Sequence, residues 1–327
     1  MALLIAIVAI ALLFDYTNGF HDTANAIATS VSTRALSPRV AVLMAAVLNM
    51  VGAFIGKKVA ETVGAGIIDT GGVTLQLVLA ALIGAVAWNL ITWYFGIPSS
   101  SSHALIGGLV GAAIAAGGVS LVQWDGVVEK VVVPMIGSPL IGFVVAYFLM
   151  IGLLWLVRRW PPLPVNRTFR LLQPISAGFM ALSHGRNDAQ KTMGVITLAL
   201  VASGHLDEFA IPFWVVLACA GAMALGTYSG GWRIINTLGN KVIKLDPIHG
   251  FAAETSAASV IQIASMLGFP VSTTHTITTA IMGVGATKRL SAVRWGVAGT
   301  ILTAWVLTLP ASALMAAGVY LVGGLIF

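Results

Sequence analysis

Two aspartates, each inside an apolar run and each followed later by a hydroxyl-rich run ending in histidine, hold the chemistry of this 327-residue chain. Asp22 stands in Asn18-Gly19-Phe20-His21-Asp22-Thr23-Ala24-Asn25, and Asp188 in His184-Gly185-Arg186-Asn187-Asp188-Ala189-Gln190-Lys191. The hydroxyl runs are Gly96-Ile97-Pro98 with Ser99 to His103, and Gly268-Phe269-Pro270 with Val271 to His275. Gly19 aligns with Gly185 and Asp22 with Asp188; Gly96, Pro98, Ser100 and His103 align with Gly268, Pro270, Ser272 and His275. An ionisable side chain at the centre of a membrane span costs about 2.5–3.5 kcal/mol on insertion scales and marks function by default. Carboxylates there can bind a proton or a cation. The hydroxyls can cap helix starts, whose free amides favour an anion, and they add donors suited to a tetrahedral oxyanion. Disrupted segments at corresponding positions of two halves point to a transporter's binding site.

Competing structural roles exist for each group. The hydroxyls could only cap short helices. Asp188 could pair with Lys191 at helical i,i+3 spacing. His103 and His275 could bond backbone, and His21 could be a satisfied polar residue beside Asp22. Glu254, in Ala253-Glu254-Thr255, suits a second cation site or a helix–helix bond; Asn25, Asn89 and Gln262 suit the same polar layer. His184, Arg186 and Lys191 could supply positive potential or face an aqueous vestibule. Asp15 is expected near the membrane surface or the mouth of a cavity. Gly19 and Gly185 are expected to let their helices open three residues before the aspartates and free carbonyls for an ion. Pro98 and Pro270 are expected in the first turn of a helix.

The surrounding elements must be membrane helices. Hydrophobic residues make up 58% of the chain and charged ones 9%, against about 25% charged in a soluble domain. Stretches such as 39–56, 74–95, 131–157 and 295–325 are long enough for a hydrocarbon core of about 30 Å. Residues 2–14 lack a basic leader and a cleavage site, and read as a mature helix. Cys219 is the lone cysteine, so neither a disulfide framework nor a structural metal site is expected. The net charge of +6 sits in short loops and implies no nucleic acid partner.

The pattern divides into ten net crossings: 1–33, 39–56, 74–95, 98–120, 131–157, 171–202, 212–231, 247–267, 270–287 and 295–325. With both termini outside, twelve basic residues lie in inner loops (Arg34, Arg39, Arg158, Arg159, Arg167, Arg170, Arg233, Lys241, Lys244, Lys288, Arg289 and Arg294), against Lys57, Lys58 and Lys130 outside. Five crossings per half make the halves inverted. The expected fold is therefore an all-α polytopic membrane protein of two inverted repeats, 1–157 and 171–327, each with a broken helix and a re-entrant hairpin. A basic, proline-rich cytoplasmic linker, 158–170, joins them.

These four linked motifs, in order along nearly the whole chain, closely resemble the inorganic phosphate transporter (PiT) family, in its bacterial low-affinity permease form. The resemblance implies phosphate import by cation symport in the plasma membrane, no enzymatic activity, no cofactor beyond a coupling proton or Na⁺, and a homodimer. Thr23, Asn25, Ser100, Ser101, Ser102, Gln190, Lys191, Ser272, Thr273 and Thr274 would then hold phosphate, free or as a metal complex. Asp22, Asp188, Asn187, His21 and Glu254 would hold the coupling ion. Many members have Asn where this chain has His21, which resembles the proton-coupled bacterial branch. Arg186 departs from the small or polar residue usual there. The alternatives are a sulfate permease of the same architecture, a passive anion channel and, least of all, an intramembrane enzyme.

Overall fold

The computed structural model describes residues 1–326, and among them it is helical throughout, with a single isolated bridge between Ile68 and Val122. We number twelve helices. The first six are α1 Ala2–Ser32, α2 Pro38–Ala53, α3 Lys58–Ala65, α4 Leu75–Tyr94, α5 Ser101–Gly117 and α6 Trp124–Leu156, with a π-helical stretch at Val128–Val132. The second six are α7 Pro162–Ala202, α8 Phe213–Ser229, α9 Trp232–Lys241, α10 Pro247–Leu267, α11 Thr273–Ala286 and α12 Trp295–Ile326.

By length and composition four helices can cross a bilayer alone (α1, α4, α6 and α12), and six if the bent pairs α2–α3 and α8–α9 count as one span each. Those pairs bend by 72° and 60°. The sequence reading placed loops where α3 and α9 lie. α5 and α11 are short, with 17 and 14 residues. The 41-residue α7 is not uniformly apolar, because its middle carries His184, Arg186, Asn187, Asp188, Gln190 and Lys191. At 1.5 Å per residue it is about 60 Å long, so its first turns, with exposed Arg167 and Arg170, extend beyond the others. Most of the expected linker is thus helix. Pro162 and Pro164 fall in its first turn, where a proline's missing N–H costs nothing; the connection proper shrinks to residues 157–161.

The helices carrying Asp22 and Asp188 are not broken. α1 and α7 run continuously through both motifs. Their glycines serve close approach instead of opening. A Cβ on Gly19 would lie 2.5 Å from the Met223 carbonyl oxygen on α8, and one on Gly226 of α8 would lie 2.1 Å from that of Tyr16 on α1. In the matching crossing, a Cβ on Gly185 of α7 would lie 2.1 Å from the Asn49 carbonyl oxygen, and one on Gly52 of α2 would lie 2.2 Å from that of Leu182. Small residues let backbones touch where no hydrophobic effect drives helices together.

Each half therefore packs on the other's counterpart: α1 on α8 and α7 on α2, α5 on α12 and α11 on α6. α6 and α12 put large apolar side chains outward, among them Leu140, Phe148, Leu307 and Leu314, as a lipid-facing rim requires. The breaks lie at the prolines, before the caps rather than in a first turn. α4 and α10 end with Gly96 and Gly268 at φ +64° and +82°, conformations that favour glycine. In both copies an amide reaches five residues back (Ile97 to Thr92 O, Phe269 to Ala264 O, each 2.9 Å). Both also close a tight turn around proline (Ser99 N–H to Ile97 O, Val271 N–H to Phe269 O, each 2.9 Å).

Candidate functional site: a closed carboxylate–hydroxyl centre

Ser100 and Ser272 cap α5 and α11, each accepting the amide of the histidine three residues on at 3.2 Å. The cap fixes the next two hydroxyls of each helix, Ser101 and Ser102, and Thr273 and Thr274. Ser101 Oγ lies 2.8 Å from Asp22 Oδ2 and 2.6 Å from Asn18 Oδ1. Thr273 Oγ1 donates to Asp188 Oδ2 at 3.3 Å, and Thr274 Oγ1 to Asp22 Oδ1 at 3.4 Å. Lys191 Nζ donates to Ser102 Oγ, to Val271 O at 3.1 Å and to Asp188 Oδ1 at 2.5 Å. Asn25, the residue aligned with Lys191, donates to Thr274 Oγ1 at 2.8 Å and lies 3.3 Å from Thr273 Oγ1. Each helix start thus touches one aspartate helix with its first hydroxyl and the opposite half with its second.

Two imidazoles complete the centre. His21 Nδ1 lies 2.6 Å from Asp22 Oδ1, and its Nε2 lies 3.2 Å from Thr92 Oγ1. His184 Nε2 lies 3.2 Å from Asp188 Oδ2 and 4.0 Å from Asp22 Oδ2, linking the two aspartates. Ligand atoms of Asp22, His184 and Asp188 all fall within 4.8 Å of one another, a group able to hold a cation. All of these residues are buried. Two carboxylates, two imidazoles and one ammonium share this buried interior. A surface groove of about 920 Å³ between α1, α4 and α12 is apolar and touches none of them. The centre is closed in this conformation.

Several expected site residues lie elsewhere or do other work. Thr23 Oγ1 donates to the Gly19 carbonyl at 2.6 Å within α1 and lies 3.2 Å from Thr227 O, so it joins α1 to α8. Gln190 accepts from Val59 N–H and donates to Ile55 O, both at 3.0 Å, pinning the α2–α3 bend. Asn187 donates to Ser265 Oγ at 2.8 Å and Phe269 O at 3.1 Å, holding the break after α10. The Asp188–Lys191 pair exists as the structural reading had it, but within the centre. Glu254 forms a separate level: Ser30 donates to it at 2.5 Å and Gln173 at 3.3 Å, with Thr29 and Ser176 in close contact. His103 and His275 meet edge to face at 4.5 Å, and His275 stacks on Trp305 at 3.8 Å. They pack the helix starts together.

Three residues were undervalued by sequence reasoning. His184 and Asn18 belong to the centre, and Asp15 is fully buried, not at a mouth. The signal was available: Asp15, Asn18, Asp22, Asn25 and Thr29 follow steps of three and four, one face of a helix. Arg186, by contrast, lies beside Gly56, its Nη2 3.5 Å from where a Cβ would stand there.

The phosphate transporter family model matches residues 18–165 and 161–316. The chain is 55% identical over 326 residues to a probable low-affinity inorganic phosphate transporter of Rhizobium meliloti (strain 1021), covering 99% of this chain and 97% of the relative. It is 48% identical over 332 residues to the protein of the same description in Bacillus subtilis (strain 168), covering 100% and 99%. A solved structure described as the sodium-dependent phosphate transporter superposes with a TM-score of 0.86 at 27% identity, over 100% of both chains.

Proposed function

The chain belongs to the phosphate transporter family, and from that membership we propose that it is a secondary transporter that imports inorganic phosphate with a cation, by alternating access around the Asp22–Asp188 centre. The observation that carries the reading is the composition of that centre. Two hydroxyl-bearing helix starts and Lys191 offer donors to an oxyanion, while Asp22 and Asp188 repel it. An anion enters such a site only if the carboxylates are neutralised at the same time, by protons or a bound cation. A passive channel has no use for that conflict.

Phosphate would be held by Ser101, Ser102, Thr273, Thr274, Asn25 and Lys191, with Ser100 and Ser272 fixing the helix starts. The coupling cation would sit among Asp22, Asp188 and His184. A proton is favoured because His21 and His184 occupy positions on the carboxylates that oxygen ligands would fill around Na⁺. Sodium is the second reading, supported by the name of the structural relative. Phosphate is preferred over sulfate because a protonated phosphate can donate a hydrogen bond to an aspartate and sulfate cannot.

The exchange of packing partners between halves supports two repeats, 1–157 and 171–327, related by an axis through the centre, with ten crossings and both termini outside. A homodimer in the plasma membrane and the carriage of phosphate as a metal complex belong to the same proposal.

Radiolabelled phosphate uptake into proteoliposomes, with proton and Na⁺ gradients imposed separately, tests this reading. Concentrative uptake on one gradient, indifferent to excess sulfate, is the expected result. Uptake that only equilibrates would mean a facilitator; uptake blocked by sulfate would mean a sulfate carrier. The same assay without Mg²⁺ separates free from metal-bound phosphate.

A further inference from the structure

Four carboxylates are fully or almost fully buried: Asp15, Asp22, Asp188 and Glu254. Asp22 and Asp188 have histidine or lysine partners, and Glu254 has four donors. Asp15 differs. Its Oδ1 accepts one hydrogen bond, from Thr192 Oγ1 at 3.0 Å, and its Oδ2 has no partner. No salt bridge reaches it among the described residues. The ionisable groups that bear on it are Asp188 and His184 from α7 and Cys219 from α8; α4 and α2 bring none to its level.

α1 and α7 run antiparallel along a polar face with three levels. Asp15 meets Thr192 at one end, Asp22 meets His184 near the middle, and Thr29 and Ser30 meet the Glu254 cluster with Gln173 and Ser176 at the other. Seven residues separate Asp15 from Asp22 in one continuous helix, about 10 Å at 1.5 Å per residue. Asp15 therefore lies outside the central site, on the side of the amino terminus. It also has no counterpart, since the aligned position in the second half is Ala181. The aspartates and the hydroxyl pairs of the centre recur in both halves; this carboxylate does not.

A lone ionised carboxylate in such a place is strongly disfavoured, and neutralising it is the usual outcome. The neutraliser cannot be a hard cation, which takes about six oxygen ligands. Asp15 and Thr192 supply oxygens; of the polar groups one turn away, Asn18 accepts from Ser101 and Asp188 is held by Lys191 and His184, and Cys219 on α8 brings a thiol. A proton on Oδ2 needs no further ligand.

We propose that Asp15 is a proton-binding site of the transport cycle, distinct from the central cluster. It is a neutral acid in this closed conformation and becomes a carboxylate when the α1–α7–α8 seam opens to water. One O–H bond forms at Oδ2 on closing and breaks on opening, and the proton comes from and returns to water. The assignment rests on proton symport as proposed above.

The test is the Asp15→Asn variant, which keeps the shape and the bond to Thr192 but cannot ionise. Full-length wild type and variant are reconstituted and assayed with radiolabelled inorganic phosphate, in counterflow at equal pH and under an inward proton gradient. The expected result is wild-type accumulation on the proton gradient, with Asp15→Asn within about two-fold of wild type in counterflow and at least ten-fold lower in gradient-driven accumulation. Unchanged accumulation by the variant overturns the proposal. If wild type accumulates on Na⁺ alone, the proton reading of the family site fails, and the Asp15 assignment with it. Should Asp15→Asn lose counterflow too, Thr192→Val decides. That variant removes the hydroxyl that donates to the carboxylate, and a shifted pH midpoint of driven uptake is expected; an unshifted midpoint overturns the assignment.

Discussion

Lys191 is the only ammonium in the centre, and it joins three elements: Asp188 on its own helix, Ser102 at the start of α5, and the Val271 carbonyl before α11. Removing one member of a buried ion pair leaves an uncompensated charge and costs about 3–5 kcal/mol. Lys191→Met is therefore expected to lower thermal stability in detergent strongly and to abolish uptake. Asp188→Asn added to it should restore a large part of the stability without restoring transport. A double-mutant cycle on melting temperatures measures this; strictly additive losses would show that the two charges do not depend on each other. Gln190, one residue earlier in the chain, faces elsewhere and fixes the α2–α3 bend. Residues adjacent in sequence take different tasks because successive helix positions point about 100° apart.

At the scale of helices, close crossings position the aspartates. Gly226 sits where a Cβ would lie 2.1 Å from the Tyr16 carbonyl oxygen, whereas a Cβ on Gly221, five residues earlier on the same helix, meets nothing within 4 Å. The pair is a matched experiment on α8. Gly226→Ala must push α1 and α8 apart, and is expected to cost about 1–3 kcal/mol, as overpacking does, and to reduce uptake by displacing Asp22. Gly221→Ala should be neutral, or stabilising by up to about 1 kcal/mol through helix propensity. Thermal melting of both variants checks this. Equal effects would mean that the crossing is slack.

The whole molecule is held by exchange between its halves. α1 packs on α8 and α2 on α7, while the helix start of each half contacts the aspartate helix of the other. Neither half can then bury its polar face alone. Expressed as two chains divided in the short turn at residues 157–161, the halves are expected to assemble and take up phosphate, and either alone to give no uptake. Uptake by a single half would contradict this packing. In the proposed cycle, a shift of one half against the other would open the hydroxyl pairs on one side or the other.

By itself the sequence determined the polytopic helical class, the duplicated motifs and the family, and it singled out Asp22, Asp188 and the two hydroxyl runs, which the structure brings together. Those follow from composition and from the cost of placing charge in hydrocarbon, which any reader of the chain can weigh. It misjudged the glycines before the aspartates, because a glycine that opens a helix and one that lets another helix touch it look the same until the partner is known. Thr23 and Gln190 looked like ligands for a similar reason: a buried polar side chain may serve a substrate or a backbone carbonyl, and only its direction decides. Asn18 and Asp15 lay on a legible stripe of α1, and His184 one turn before Asp188 on α7, but their importance depended on α7 running antiparallel to α1. Tertiary structure alone decided that, since contacts between residues more than 160 positions apart are set by how the helices pack, not by any local pattern.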